Sequence, residues 1–315
     1  MHAIGIDIGG TKIAGAVVTE SGEIIADDRL PTPSGDSEAI VDAVVAMVER
    51  LAIGQNIVAA GVAAPGFIDT TQSIVYYTPN ISWRHEPLRE RLLARLDLAI
   101  TIDNDANAAG WAEYRFGAGQ NVSDMTMLTI GTGVGGAIVN QGRLFRGGFG
   151  AGAELGHMRV VPDGLACGCG ARGCIEQYGS GRALLRMANE IADVGGIGLR
   201  LAAVRAQKGA LTGPDVAELI VAGDPGATQA LRELGGWIGQ ACASLSAVLD
   251  PQLFVIGGGV AVAGDLLLDP IREAYVANLP ARGYHPEPEF TIAQLVNDAG
   301  VVGAADLARL HYDAR

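Results

Sequence analysis

The chain reads as a duplicated α/β fold whose two halves each open on a strand, a glycine turn and a second strand. The first opening is Ala3–Ile8, the turn Gly9-Gly10-Thr11-Lys12, and Ile13–Val18. The second is Met125–Ile130, the glycine loop Gly131–Gly136, and Ala137–Val139. A chain of 315 residues that is 49% hydrophobic can build two such units around a cleft. The pattern places one domain over 1–107 plus 301–315 and a larger one over 108–300.

Within the first half, Ser37–Leu51 has helical spacing, with Ile40, Val44, Met47, Val48 and Leu51 on one face. Ile57–Ala63 is a strand ending in Ala64-Pro65-Gly66, and Glu86–Leu96 a helix. Ala99–Ile102 is a strand running into Asp103-Asn104-Asp105, and Ala106–Phe116 a helix stopped by Gly117. In the second half a long helical pattern covers Ala227–Val248, where Cys242 reads as a buried small hydrophobe. Gln252–Ile256 is a buried strand ending in Gly257-Gly258-Gly259, Phe290–Ala293 a short strand, and Val301–Leu310 the closing helix.

Composition removes several function classes. A formal net charge of −13 suits neither nucleic acid nor an anionic membrane surface. Aromatic residues at 5% leave little for stacking on bases. No apolar run approaches the length of a membrane span, and the apolar start is interrupted by Asp7 without a basic leader, so a reducing, cytoplasmic setting is expected.

In such a setting clustered cysteines favour metal over disulfide. Cys167, Cys169 and Cys174, three of the four cysteines, share one short glycine-rich loop, with His157 upstream. One imidazole and three thiolates complete a tetrahedral ligand set for structural zinc. Glu154 and Glu176 flank that loop and are not needed by the metal.

Three glycine loops follow strands: Gly9-Gly10-Thr11-Lys12, Gly131-Thr132-Gly133 with its continuation, and Gly257-Gly258-Gly259. Backbone N–H groups in such loops cradle phosphate oxygens. One alone is an ordinary turn; three, with Asp7 placed to hold Mg2+, point to a nucleotide. The middle loop also spells the dinucleotide fingerprint, with Glu154 further on, but that reading needs a helix next. Here Ala137-Ile138-Val139 reads as strand and Asn140-Gln141-Gly142 as a hairpin turn, so a nicotinamide cofactor is disfavoured. Asp105 opens a helix, which alone signals only a cap. Opposite phosphate loops it is also a candidate base for phosphoryl transfer to a hydroxyl. Glu154, His157 and Glu176 then offer acceptors to a polyol.

These residues resemble the ROK family of sugar kinases and sugar-sensing repressors. The resemblance lies in Asp7-Ile8-Gly9-Gly10-Thr11-Lys12, Glu154-Leu155-Gly156-His157 and the loop from Cys167 to Glu176. Tyr77–Trp83, Asp105-Ala106-Asn107-Ala108-Ala109 and the stretch from Gly300 to Ala305 are most similar to the ATP-dependent glucokinases of actinomycetes. The resemblance implies the actin-like, ribonuclease-H-like ATPase fold, with ATP, Mg2+ and structural Zn2+. It implies Asp105 as base toward the sugar 6-hydroxyl, and sugar contacts from Gly66, Asn104, Glu154, His157 and Glu176. Gly9, Gly10, Thr11 and Lys12 fall to the first phosphate loop, Gly131, Thr132 and Gly133 to the second, and Gly257, Gly258 and Gly259 lie beside the adenosine. The expected partners are glucose and ATP, in a homodimer or tetramer, without nucleic acid or membrane. A kinase for mannose, N-acetylglucosamine or N-acetylmannosamine shares every one of these motifs and stays open. A repressor needs a helix-turn-helix ahead of Asp7, for which there is no room. A polyphosphate-using relative is expected to lack the cysteine loop.

Overall fold

The computed structural model describes residues 1–33, 37–78 and 81–314. Pro79 and Asn80, inside one of the phrases that carry the resemblance, lie outside the described residues, as does Arg315. The chain runs β1 (His2–Ile8), β2 (Lys12–Val18), β3 (Ile24–Pro31), α1 (Ser37–Ala52), β4 (Ile57–Ala64), β5 (Phe67–Ile68), β6 (Val75–Tyr77), β7 (Arg84–Glu86), α2 (Leu88–Leu93), β8 (Ala99–Asn104) and α3 (Asp105–Phe116). It continues with β9 (Met125–Ile130), β10 (Val134–Asn140), β11 (Arg143–Leu144), α4 (Glu176–Gly179), α5 (Gly181–Val194), α6 (Leu199–Lys208), α7 (Gly213–Val221) and α8 (Pro225–Leu249). It closes with β12 (Leu253–Gly257), α9 (Asp265–Asn278), β13 (Glu289–Ile292) and α10 (Ala299–Asp313). Two compact units result: Met1–Ser123 with Ala137–Ala153 and Gln294–Arg315, and Asp124–Gly136 with Glu154–Ala293.

The duplication is visible in the sheets. One has the order β3-β2-β1-β4-β8 and the other β11-β10-β9-β12-β13, the same path traced twice. In the first, β1 pairs antiparallel with β2 and parallel with β4. In the second, β9 pairs parallel with β12, and β10 antiparallel with β11. A right-handed helical crossover suits the parallel pairs, and a tight turn the antiparallel ones.

In the first unit, β1 divides its side chains between two helical layers, as strand alternation requires. Ile4, Ile6 and Ile8 enter a core with Val41, Val44, Met47 and Val48 of α1. Ala3 on the opposite face packs with Ala299, Val301, Val302 and Ala305 of α10. That second face is made of small residues because α10 rests on the sheet backbone. A Cβ on Gly5 would stand 1.8 Å from the Val301 carbonyl oxygen, and one on Gly61 1.9 Å from that of Ala304. In the second unit, Cys242 of α8 is fully buried, and burial pushes its thiol up, as a packing residue's should be. Phe254 and Phe290 stack on neighbouring strands at 5.0 Å. Among the described residues no helix is long and apolar enough to cross a membrane.

Two local expectations need correction. The helix expected over Glu86–Leu96 is only Leu88–Leu93: Glu86 ends β7, and Pro87 occupies the N-cap. The glycine loop expected over Gly131–Gly136 ends at Gly133, since Val134-Gly135-Gly136 already pair in β10. Strand β3 carries only weak apolar signal (Ile-Ile-Ala-Asp-Asp-Arg-Leu-Pro) because it is an edge strand with alternate residues in solvent. The hairpin at Asn140–Gly142 is as expected: Gln141 and Gly142 both have positive φ, 49° and 73°, between the paired Asn140 and Arg143. That is the type I′ geometry that suits strand twist.

Candidate active site

In the first unit, Asp7 ends β1 and the turn behind it is tightly tied. Gly9 N–H donates to the Lys12 carbonyl at 2.9 Å, and the Thr32 hydroxyl to the Gly9 carbonyl at 2.6 Å. Gly10, Thr11 and Lys12 are left exposed at the tip. Burial raises the Asp7 carboxyl above its usual range, partly offset by Lys12.

Asp105 is the first residue of α3, and it is not the cap. Asn104 is the N-cap, its Oδ1 accepting the Asn107 N–H at 3.1 Å. The Asn104 amide also donates to the Gly66 carbonyl at 3.0 Å. Gly66 holds φ +104, and a Cβ there would stand 2.1 Å from the Tyr77 carbonyl oxygen, so only glycine fits. Burial, and then the charge of Asp7, push the Asp105 carboxyl up to about 6, against downward pulls from the Ala106 N–H, its own N–H and the Asn104 side chain. Helix N-termini favour carboxylate anions, yet here desolvation wins. The result is a carboxylate that is ionised at neutral pH and basic enough to take a proton. Asp7, Gly66, Asn104 and Asp105 thus form one cluster.

In the second unit, the turn after β9 closes through Gly131 N–H to the Gly133 carbonyl at 3.0 Å. It is held from outside by Gly181 N–H on the Gly131 carbonyl at 2.8 Å, and by the Arg182 side chain on the Thr132 carbonyl at 3.0 Å. Gly258 sits against the backbone of Ile130, so the third glycine loop lies beside the second. Glu176 also meets the second loop: its Oε2 accepts the Val134 N–H at 3.3 Å. Glu154 leads into a 3-10 turn, Leu155–His157, with the His157 N–H on its carbonyl at 3.0 Å.

His157, Cys167, Cys169 and Cys174 converge, with their ligand atoms all within 4.8 Å of one another. His157 Nδ1 lies 3.7 Å from Cys167 Sγ, and Cys169 Sγ 3.7 Å from Cys174 Sγ. A tetrahedron with Zn–S near ~2.3 Å has edges of about that length. The loop is folded by its own backbone: Cys167 N–H donates to the Ala171 carbonyl at 2.9 Å, and Gly170 N–H to the Cys167 carbonyl at 3.0 Å. Burial, and then the neighbouring thiols, push Cys174 up to about 12. Such a crowd of thiols ionises together only when a cation repays it. Cys167 Sγ is 4.0 Å from Glu176 Oε1, so this loop abuts a residue expected at the sugar.

The residues expected from sequence fall in two sets, one in each unit. Sequence reasoning missed Asp103, Gln72 and Arg146, which are hydrogen-bonded around the base of the Asp105 cluster. Only Asp103, next to the motif, carried a signal that could have found it.

Two copies of one sheet path, each with a glycine turn after its first strand, define the actin-like class of ATPase folds. The chain belongs to the ROK family, which its sequence matches over residues 3–311. It is 46% identical to the glucokinase of Streptomyces coelicolor over 97% of both chains. It is 34% identical to an N-acetylmannosamine kinase of Escherichia coli O157:H7, over 98% of this chain and 99% of that one. Among solved structures, a ROK family glucokinase from Streptomyces griseus in complex with glucose and AMPPNP superposes with a TM-score of 0.88. The two are 45% identical, covering 98% of this chain and 100% of the other.

Proposed function

We propose that this protein is an ATP-dependent glucokinase that phosphorylates glucose at its 6-hydroxyl. The observation that carries the reading is Asp105, a carboxylate held near pKa 6 beside Asp7 and relieved of the cap by Asn104. Its neighbours in sequence space, at 45–46% identity, are glucokinases.

In this reading Asp105 accepts the proton of the 6-hydroxyl as that oxygen bonds to the γ-phosphorus. The bond from that phosphorus to the β-γ bridging oxygen breaks, and ADP leaves. Phosphoryl transfer asks little else of the protein than position and charge neutralisation. Gly66, Asn104, Glu154, His157 and Glu176 orient the sugar. The loops Gly9 to Lys12 and Gly131 to Gly133, each closed by the N–H of its first glycine, offer N–H groups at their tips to phosphate oxygens, and Gly257 to Gly259 flank the adenosine. Asp7 suits a hydrated Mg2+, whose bound charge offsets that of the phosphates. His157, Cys167, Cys169 and Cys174 would hold Zn2+ with four protein ligands, so the ion would supply rigidity to the loop and no chemistry. A cytoplasmic homo-oligomer without nucleic acid or membrane partners completes the proposal.

N-acetylmannosamine kinase is the competing assignment, given the 34% relative. A coupled assay over glucose, mannose, N-acetylglucosamine and N-acetylmannosamine, with ATP and polyphosphate as donors, separates the two. Glucose with ATP is expected to give the highest kcat/KM. A higher value for an N-acetylated sugar would reassign the substrate.

A further inference from the structure

Asp103 ends β8 two residues before Asp105, and its side chain is only 4% exposed. Five hydrogen bonds converge on its carboxylate from four parts of the first unit. Arg146, in the segment after β11, clamps Oδ2 with Nε at 2.9 Å and a terminal nitrogen at 2.6 Å. The Gln72 amide reaches the same oxygen at 2.9 Å. Oδ1 accepts the Asn104 N–H at 2.9 Å and the Asn107 amide at 3.1 Å.

Gln72 arrives there by a strained route. Its φ is +54, in the left-handed region. The turn that holds it is organised by Asp69, whose carboxylate accepts the N–H groups of Thr71, Ser73 and Ile74 at 3.1, 2.7 and 2.7 Å. The turn is thus built to deliver one amide.

Burying a carboxylate under a guanidinium is a poor way to gain stability, since apolar packing of the same volume does as well. Its merit is direction. Asp103 Oδ1 fixes the Asn107 amide and the Asn104 N–H. Asn107 N–H in turn fixes the Asn104 Oδ1 at 3.1 Å, and the Asn104 amide rests on Gly66 at 3.0 Å. The first turn of α3, with Asp105 on it, is oriented through these links.

We propose that Asp103, clamped by Arg146 and Gln72, is a positioning residue that holds Asn104 and Asp105 in the geometry for transfer to the sugar hydroxyl. Arg146 is its principal anchor. The inference rests on the reading of Asp105 as the base.

The test compares Arg146→Met, Arg146→Lys, Asp103→Asn and the double variant Arg146→Met with Asp103→Asn. Kinetics are taken separately in glucose and in MgATP, with melting temperature as a check on folding. Arg146→Met is expected to lower kcat about 10²-fold, the scale of a small misplacement, and to raise the glucose KM while the ATP KM stays put. Arg146→Lys is expected to recover only part, because an ammonium cannot reproduce the fork. On top of Asp103→Asn, the loss of Arg146 is expected to add no more than about threefold, since both act through one group. Turnover within about twofold of wild type in a folded Arg146→Met protein would overturn the proposal. So would losses that multiply in the double variant, or equal rises in both KM values. If Arg146→Met does not fold, Gln72→Ala decides: a severalfold lower kcat with unchanged ATP KM supports the hub, and an unchanged kcat overturns it. Failure of the underlying reading looks different. The wild type would not phosphorylate glucose, or Asp105→Asn would remain active.

Discussion

Asp7 helps set the protonation of Asp105, and pH exposes it. Asp105, the proposed base, can act only when ionised, and its pKa is raised to about 6 by burial and by Asp7. The kcat/KM for glucose is therefore expected to fall as pH drops through about 6, as read from a pH profile of the free enzyme. Asp7→Asn removes the second cause of the upward shift, so the normalised acid limb is expected to move to lower pH even as the plateau falls. A limb that stays put would remove the coupling. The same raised pKa works against stability. A carboxyl whose folded pKa lies above the unfolded value stabilises the fold only while protonated, at low pH. That contribution fades as pH rises past the unfolded value near 3.8, and above about 6 the folded state carries the full penalty. Asp105→Asn is accordingly expected to raise the melting temperature at pH 8 and to lose that advantage near pH 4. Much of this residue chemistry was legible, because an acid between two asparagines at a strand end is a compact motif. The supporting shell was not: Gln72 and Arg146 lie 31 and 43 positions from Asp103, and nothing in spacing announces a contact at that range.

The cysteine loop and the glycine-faced sheet are the elements where sequence and structure speak most directly. Three cysteines and one histidine at short spacing define a ligand set whatever the surrounding fold, and the four side chains do converge. Cys169→Ser is expected to raise the glucose KM, or lower soluble yield, before it changes nucleotide binding, because the loop abuts Glu176. Kinetics in each substrate, with elemental analysis of the purified protein, check this; full activity in zinc-free protein would contradict it. The contact of α10 with the sheet is equally specific. Gly61→Ala brings a methyl within 1.9 Å of the Ala304 oxygen, a strain that the backbone must absorb. A loss of about 1–3 kcal/mol or more, by denaturant unfolding, is expected. Boundaries were less legible than elements. Helix α2 is short because Pro87 and strand β7 precede it, and β3 hid its period among edge-strand charges.

At the scale of the molecule, the duplicated strand–turn–strand openings foretold a repeated α/β plan, and both sheets follow one strand order. Glucose was legible only through the resemblance of stretches such as Tyr77–Trp83 to actinomycete glucokinases, because the glycine loops, the cysteine loop and the acid do not by themselves separate one hexose from another. The proposed function turns on one carboxylate that removes the proton. The most direct measurement is therefore a paired one on Asp105→Asn: glucose binding by calorimetry and ADP release by coupled assay. Binding close to wild type, with turnover lowered roughly 10²–10⁴-fold, is expected. Binding retained with more than about a tenth of wild-type turnover would contradict it.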